Sequence, residues 1–188
     1  MNAHKICTET DKFRRTFPKC GEWIEDFQFA AIVPDCFDLQ KERVKNASLL
    51  CEHVCAYKNK EGKHRFVRAN IEFPIIGEVS TIKLGIWTKL SWLDFKHFQA
   101  TSALPDGYAS YMGTLCNDIP GFGLMYGQKV LITLSKHSDY PSVKSMPPDD
   151  PLSYQMVEGI SVEDAQLIIE IMDSVSHWNY EPEMVAKD

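Results

Sequence analysis

Cys51, Glu52, His53, Val54 and Cys55 form the densest cluster of metal-ligating and nucleophilic side chains in the sequence. Zinc is held by cysteine thiolates and histidine imidazoles, so the cluster invites a metal reading. Geometry argues against it. On a strand Cys51, His53 and Cys55 share one face, yet at about 3.3 Å rise per residue the cysteines lie about 13 Å apart. Zn–S bonds of about 2.3 Å cannot bring both to one ion. On a helix the two cysteines share a face and His53 points elsewhere. They read as small buried thiols, and neither a metal nor a cofactor is expected.

A cysteine nucleophile needs a base, and Cys116 with His137 is the one thiol–imidazole pair to consider. No flanking signature supports it, so no catalytic residue is assigned. Gly121, Gly123 and Gly127 depart from the G-x-G-x-x-G spacing, and no Gly-Lys-Ser/Thr ending follows them. They are expected to serve tight turns. H-E-x-x-H, G-x-S-x-G and the kinase signatures are absent from the sequence. Trp23, Trp87, Trp92 and Trp178 read as core rather than as a stacking platform.

The elements that must position these residues follow from periodicity. Residues 1–20 show no period and read as a loosely attached leader. Phe27 to Val33 is a short apolar run stopped by Pro34. Asp35 or Asp38 is placed to cap a helix over 39–48. The middle reads as antiparallel strands: Leu49–Tyr57, then His64–Ile76 after a polar turn, then Thr81–Leu90. Ser91 caps a short helix with Asp94 in the box position, Phe95 and Phe98 facing inward. Five of the ten glycines fall in 101–128, which reads as loop with a short strand. Lys129–Lys136 reads as a strand, and 137–153, with four prolines, as an irregular loop.

The clearest helix spans Val162–Ser176 behind Ser161 as cap. Val162, Ala165, Ile168, Ile169, Ile171, Met172 and Val175 cover one side, and Glu163, Gln166, Glu170, Asp173 and Ser174 the other. The expected fold class is α+β, an antiparallel meander sheet packed by this long C-terminal amphipathic helix and by shorter helices. No repeat or linker divides the 188 residues, so 1–188 is expected to be one domain.

Charge narrows the partners. Residues 1–100 hold 16 Lys and Arg against 13 Asp and Glu, while 101–188 hold 4 against 13, which yields the net −6. A strongly acidic second half disfavours nucleic acid, because phosphate binding needs a basic surface. No segment has the ~20 consecutive apolar residues of a spanning helix, and the charged N-terminus lacks an apolar signal region. A cytoplasmic location is expected, with Cys7, Cys20, Cys36, Cys51, Cys55 and Cys116 as reduced thiols.

Several stretches are similar, in order and spacing, to a bacterial family. They are Cys20-Gly21-Glu22, Phe29-Ala30 with Pro34, Pro74-Ile75-Ile76-Gly77, and Leu84-Gly85-Ile86-Trp87-Thr88-Lys89-Leu90-Ser91 with Asp94-Phe95. Ile119-Pro120-Gly121-Phe122, Asp150-Pro151-Leu152 and Glu158-Gly159-Ile160-Ser161 complete them. From about Cys20 to Met172 the chain resembles domain of unknown function 2199. The resemblance implies small bacterial cytosolic proteins and brings no catalytic residue. Family members begin with Cys-x-x-Cys-Gly, and Phe17 stands here where the first cysteine belongs, so the family's zinc knuckle is not expected.

The expected function is therefore non-enzymatic protein binding, in its specific version an immunity protein neutralising a basic bacterial toxin domain. Acidic partners speed such association electrostatically. Glu163, Glu170 and Asp173 are the candidate partner-binding residues. The alternative is an enzyme or small-molecule binder with its pocket near the glycine-rich 101–128 region.

Overall fold

Val67, Ala69 and Ile71 alternate with Phe66, Arg68 and Asn70, a pattern that ordinarily separates a dry face from a wet one. Here residues 66–71 are buried on both faces, Arg68 and Asn70 included. The reason is closure. The computed structural model describes residues 26–37, 47–50, 53–104, 106–135, 140–145, 151–175 and 178–180. Within them the strands are β1 (Asp26–Ala31), β2 (Ala47–Leu50), β3 (Val54–Asn59), β4 (Gly62–Pro74) and β5 (Thr81–Lys89). They continue as β6 (Ala109–Leu115), β7 (Lys129–Leu134), β8 (Ser142–Ser145) and β9 (Trp178–Tyr180).

β4 pairs with β5 from Phe66↔Lys89 to Pro74↔Thr81, and β5, β6, β7 and β8 then follow one another in antiparallel pairs. β8 meets β4 in parallel at Asn70↔Ser142, closing a five-stranded barrel. One face of β4 thus looks into the barrel and the other lies under further layers. β2 and β3 extend the sheet beyond β4; β1 runs parallel to β5, and β9 pairs with β1. The architecture is mixed α+β, with closure and two parallel pairings in place of a purely antiparallel arrangement.

Among the described residues three helices accompany the sheet. α1 (Trp92–Ser102) begins as its sequence predicts, the Asp94 backbone nitrogen donating to Ser91 Oγ at 3.1 Å, with Phe95 and Phe98 buried. α2 (Pro151–Glu158) lies against β4, opening on a proline whose fixed φ suits the first helical turn. α3 (Val162–Ser174) is capped by Ser161, which accepts from the Asp164 nitrogen at 3.0 Å. Its buried positions are Ala165, Ile168, Ile169 and Met172, whereas Ile171 is only half-buried. It ends two residues before the expected Ser176, and β9 follows it.

Other expectations need correction. Residues 137–153 are not wholly irregular, since β8 and the start of α2 fall there. Leu49–Tyr57 is not one strand but parts of β2 and β3, paired antiparallel. The Asp35 carboxylate is bound to Asn117 and Asp118, as described below; of the helix expected over 39–48 only 47–48 are described, and they belong to β2. Residues 38–46, the 1–20 leader, Cys7, Cys20, Trp23, Cys51 and His137 lie outside the described residues. No helix among the described residues is long and apolar enough to cross a membrane.

Candidate functional site

One edge of β5 serves two neighbours. Its first half, Thr81–Gly85, pairs with β1, and its last two residues, Thr88 and Lys89, pair with β6. β1 and β6 therefore diverge at Trp87, and both chains turn out of the sheet there, one into 32–37 and the other into 116–118. The fork is tied by Trp87, which is 1% exposed. Its indole nitrogen donates to the Ala31 carbonyl at 2.9 Å, and its carbonyl accepts from the Cys116 nitrogen at 2.8 Å. Its backbone nitrogen donates to Asn117 Oδ1 at 2.8 Å.

Close packing at the fork demands Gly85. A Cβ there would stand 2.9 Å from the Ala30 Cβ and 2.7 Å from the Arg68 Nε. The glycine lets β1 and the Arg68 side chain approach β5 together.

The two turns are stitched to each other. Asp35 Oδ1 accepts from Asn117 Nδ2 at 2.8 Å, and Asp35 Oδ2 accepts from the Asp118 nitrogen at 2.7 Å. The Asp35 nitrogen donates to the Cys116 carbonyl at 2.8 Å. Asp118 Oδ1 in turn accepts from the nitrogens of Met125 and Tyr126, both at 2.8 Å, folding the 119–126 loop back on the site. Backbone donors on both carboxylates leave these turns little freedom.

A cleft of about 670 Å³ opens between them. One wall is Val33, Pro34, Asp35 and Phe37, and the other is Asp118, Ile119, Pro120, Gly121 and Gly123. Gly121, at φ +87°, takes the left-handed conformation that favours glycine, and a Cβ there would lie 3.3 Å from Ile171 Cδ1 of α3. The glycines shape turns, as their spacing predicts, and two of them also line the cleft.

Cys36 lies between the lining residues Asp35 and Phe37, exposed to solvent. Its sulfur faces a cluster of donors. The Tyr57 hydroxyl is 3.6 Å from Cys36 Sγ and 3.3 Å from the Cys36 carbonyl, and the Tyr126 hydroxyl and the Cys116 thiol are also hydrogen-bonding neighbours. The Cys116 hydrogen bond to the thiolate, with smaller help from Tyr57 and Tyr126, brings the Cys36 pKa from 9.0 down to about 6 against the opposing effect of burial. Cys116 is 3% exposed, and its hydrogen bond to Cys36, burial and the Cys36 charge push its own thiol up. Burial, then the Cys36 charge, pushes Tyr126 up to about 12, so its phenol is a donor at neutral pH. Of the two sulfurs, the exposed one is the favoured site of negative charge.

The residues singled out by sequence fare unequally. Cys116 belongs to the site, beside Cys36; His137 lies outside the described residues. Cys55 is buried in β3, while His53 is exposed and packs against the Tyr140 ring, so the two do not converge. No group of three or more potential ligands forms a metal site among the described residues. Glu163, Glu170 and Asp173 are exposed on α3, away from the cleft walls. Cys36, Tyr57 and Tyr126 were not legible as site residues, since no local spacing links positions 36, 57, 116 and 126.

A family model described as an uncharacterised protein conserved in bacteria (DUF2199) matches residues 16–160. The matched stretch contains both turns of the fork, Tyr57 and Tyr126; α3 lies beyond it. No curated protein and no solved structure matches the chain.

Proposed function

We propose that this chain, which belongs to the DUF2199 family of uncharacterised bacterial proteins, acts through the Cys36 thiolate on a small molecule held in the adjoining cleft. The observation that carries this reading is the ring of donors on an exposed sulfur: the Tyr57 hydroxyl at 3.6 Å with the Cys116 and Tyr126 groups. A thiolate is the nucleophilic form of cysteine, and three O–H or S–H neighbours favour it at neutral pH. The cleft beside it has apolar side chains, glycine backbone and two carboxylates, with no Lys or Arg among its lining residues. That lining suits a neutral or cationic molecule with an apolar body. A site of this kind depends on reduced thiols, in keeping with a cytoplasmic protein.

Alkylation by iodoacetamide across pH, mapped by mass spectrometry, tests the reading. Cys36 should react ahead of Cys55 and Cys116, with a rate midpoint near its pKa of about 6, and Tyr57→Phe should move that midpoint upward. A wild-type midpoint near the ordinary 9.0, unmoved by Tyr57→Phe, would refute it.

One observation favours a second reading. Leu167, 55% exposed, stands on α3 between Glu163 and Glu170, an apolar residue within an acidic stripe. Such a surface suits non-enzymatic binding of a basic protein, as an immunity protein would bind a toxin domain. Association kinetics of charge variants, argued in the Discussion, test it.

A further inference from the structure

Two thiols meet at the fork, and their surroundings differ in the way a stepwise exchange requires. Cys36 is exposed and Cys116 is buried. Three hydrogen bonds hold their turns together: Asp35 N to the Cys116 carbonyl at 2.8 Å, Asn117 Nδ2 to Asp35 Oδ1 at 2.8 Å and Asp118 N to Asp35 Oδ2 at 2.7 Å. The neighbours of each cysteine are thus clamped to the other's turn, and the two thiols lie close enough for each to shift the other's ionisation.

We propose that Cys36 and Cys116 form one two-electron dithiol site that reduces low-molecular-weight disulfides, Cys36 attacking and Cys116 resolving. The proposal rests on the reading of Cys36 as the reactive thiol and names the substrate class. The Cys36 thiolate attacks one sulfur of R–S–S–R; a Cys36–S–S–R bond forms, and R–S⁻ leaves and takes a proton from solvent. The Cys116 thiol then loses its proton to solvent and its thiolate attacks the Cys36 sulfur. The Cys36–Cys116 disulfide forms and the second R–S⁻ leaves, protonated in turn. The protein is oxidised by two electrons, and the substrate is reduced to two R–SH.

The order of events follows from the surroundings. Cys116 has one S–H, which faces two acceptors, the Cys36 sulfur and the Thr114 carbonyl at 3.3 Å. While Cys36 is charged, Cys116 holds its proton. Once Cys36 is a mixed disulfide that charge is gone, and with it the repulsion that opposes a second thiolate. Burial still opposes the Cys116 thiolate, but the Cys36 charge no longer adds to it, so the second thiolate is easier to form after the first step than before it.

The test treats the reduced full chain with bis(2-hydroxyethyl) disulfide and maps the products without reductant. Wild type should yield a Cys36–Cys116 linked peptide and two equivalents of free 2-mercaptoethanol. Cys116→Ser should lose the linked peptide and accumulate the mixed disulfide on Cys36. Cys116→Ala, whose methyl suits the buried position, should do the same and guards against a folding defect in the serine variant. Cys36→Ser should form neither product. Linkage of Cys36 to another cysteine, or a wild-type mixed disulfide that persists, overturns the dithiol site. If Cys36 alkylates with a midpoint near pH 6 but forms no Cys36–Cys116 bond, this inference alone fails. If Cys36 is also inert to iodoacetamide at that pH, the thiolate reading fails with it.

Discussion

Asn117 Nδ2 donates to Asp35 Oδ1 at 2.8 Å across 82 residues of sequence. The same amide also donates to the Val33 carbonyl at 2.9 Å, and Asn117 Oδ1 accepts from the Trp87 nitrogen. Asn117 is fully buried, so its own amide depends on these partners rather than on water. One side chain therefore joins β5, the turn after β1 and the turn after β6. The reactive sulfur sits where it does because of this junction.

Asn117→Ala should leave the Trp87 N–H and the Val33 carbonyl without those partners. Each buried group left unsatisfied costs roughly 1–3 kcal/mol, so chemical denaturation should show a clear loss of stability. The same variant should loosen the Asp35 turn and raise the pH midpoint of Cys36 alkylation. Asn117→Asp keeps an acceptor for Trp87 but sets a carboxyl against Asp35 and the Val33 carbonyl. The introduced group favours its protonated form in the folded state, a raised folded pKa. Its favourable contribution is then present at acid pH and lost as pH rises through that value. Thermal melts of this variant should improve relative to wild type on going from neutral to mildly acid pH. Parallel pH profiles for the two proteins would contradict the assignment.

Helix α3 yields a contrast within one element. Ile168 is 6% exposed, so Ile168→Ala should cost roughly 2–5 kcal/mol. Ile171 is half-buried at the rim of the cleft loop, and Ile171→Ala should cost clearly less. Gly121→Ala should cost about 1–2 kcal/mol through its positive φ. Adding Ile171→Ala removes the 3.3 Å crowding but not the backbone strain, so the double variant should recover little. Denaturant midpoints decide both comparisons, and full recovery would show crowding rather than φ to be the cause.

These positions also show what a sequence carries. The caps Ser91 and Ser161 were readable because a helix start is a local event, a hydroxyl and the nitrogen of the third residue on. The apolar side of α3 was readable from its period, although Ile171 sits at the stripe's edge and periodicity does not say where burial stops. Barrel closure was not readable. It rests on β8 meeting β4 at Asn70↔Ser142, a pairing between segments with no local signal. The site was hidden for the same reason. Cys116 could be named as a thiol, but its partner is a turn at 35–37 brought there by β1 and β6 sharing one edge of β5.

The acidic stripe on α3 is either a steering surface or a solvated face, and charge variants separate the two. Replacing Glu163, Glu170 and Asp173 all by Lys would take the formal net charge from −6 to zero and invite non-specific association. Glu163→Gln, Glu170→Gln and Asp173→Asn together remove the same field with less side effect. Stability should change little. Glu163 in the first turn favours the helix dipole and Asp173 in the last opposes it, so their neutralisation has opposing effects of about 0.3–1 kcal/mol each. If the stripe steers a basic protein partner captured from a bacterial lysate, the triple variant should associate more slowly at low salt, with a similar dissociation rate. The difference should vanish at high salt, where screening removes steering from wild type as well. Equal association rates at low salt would leave Glu163, Glu170 and Asp173 as a solubilising surface, and the protein-binding reading would lose its only structural support.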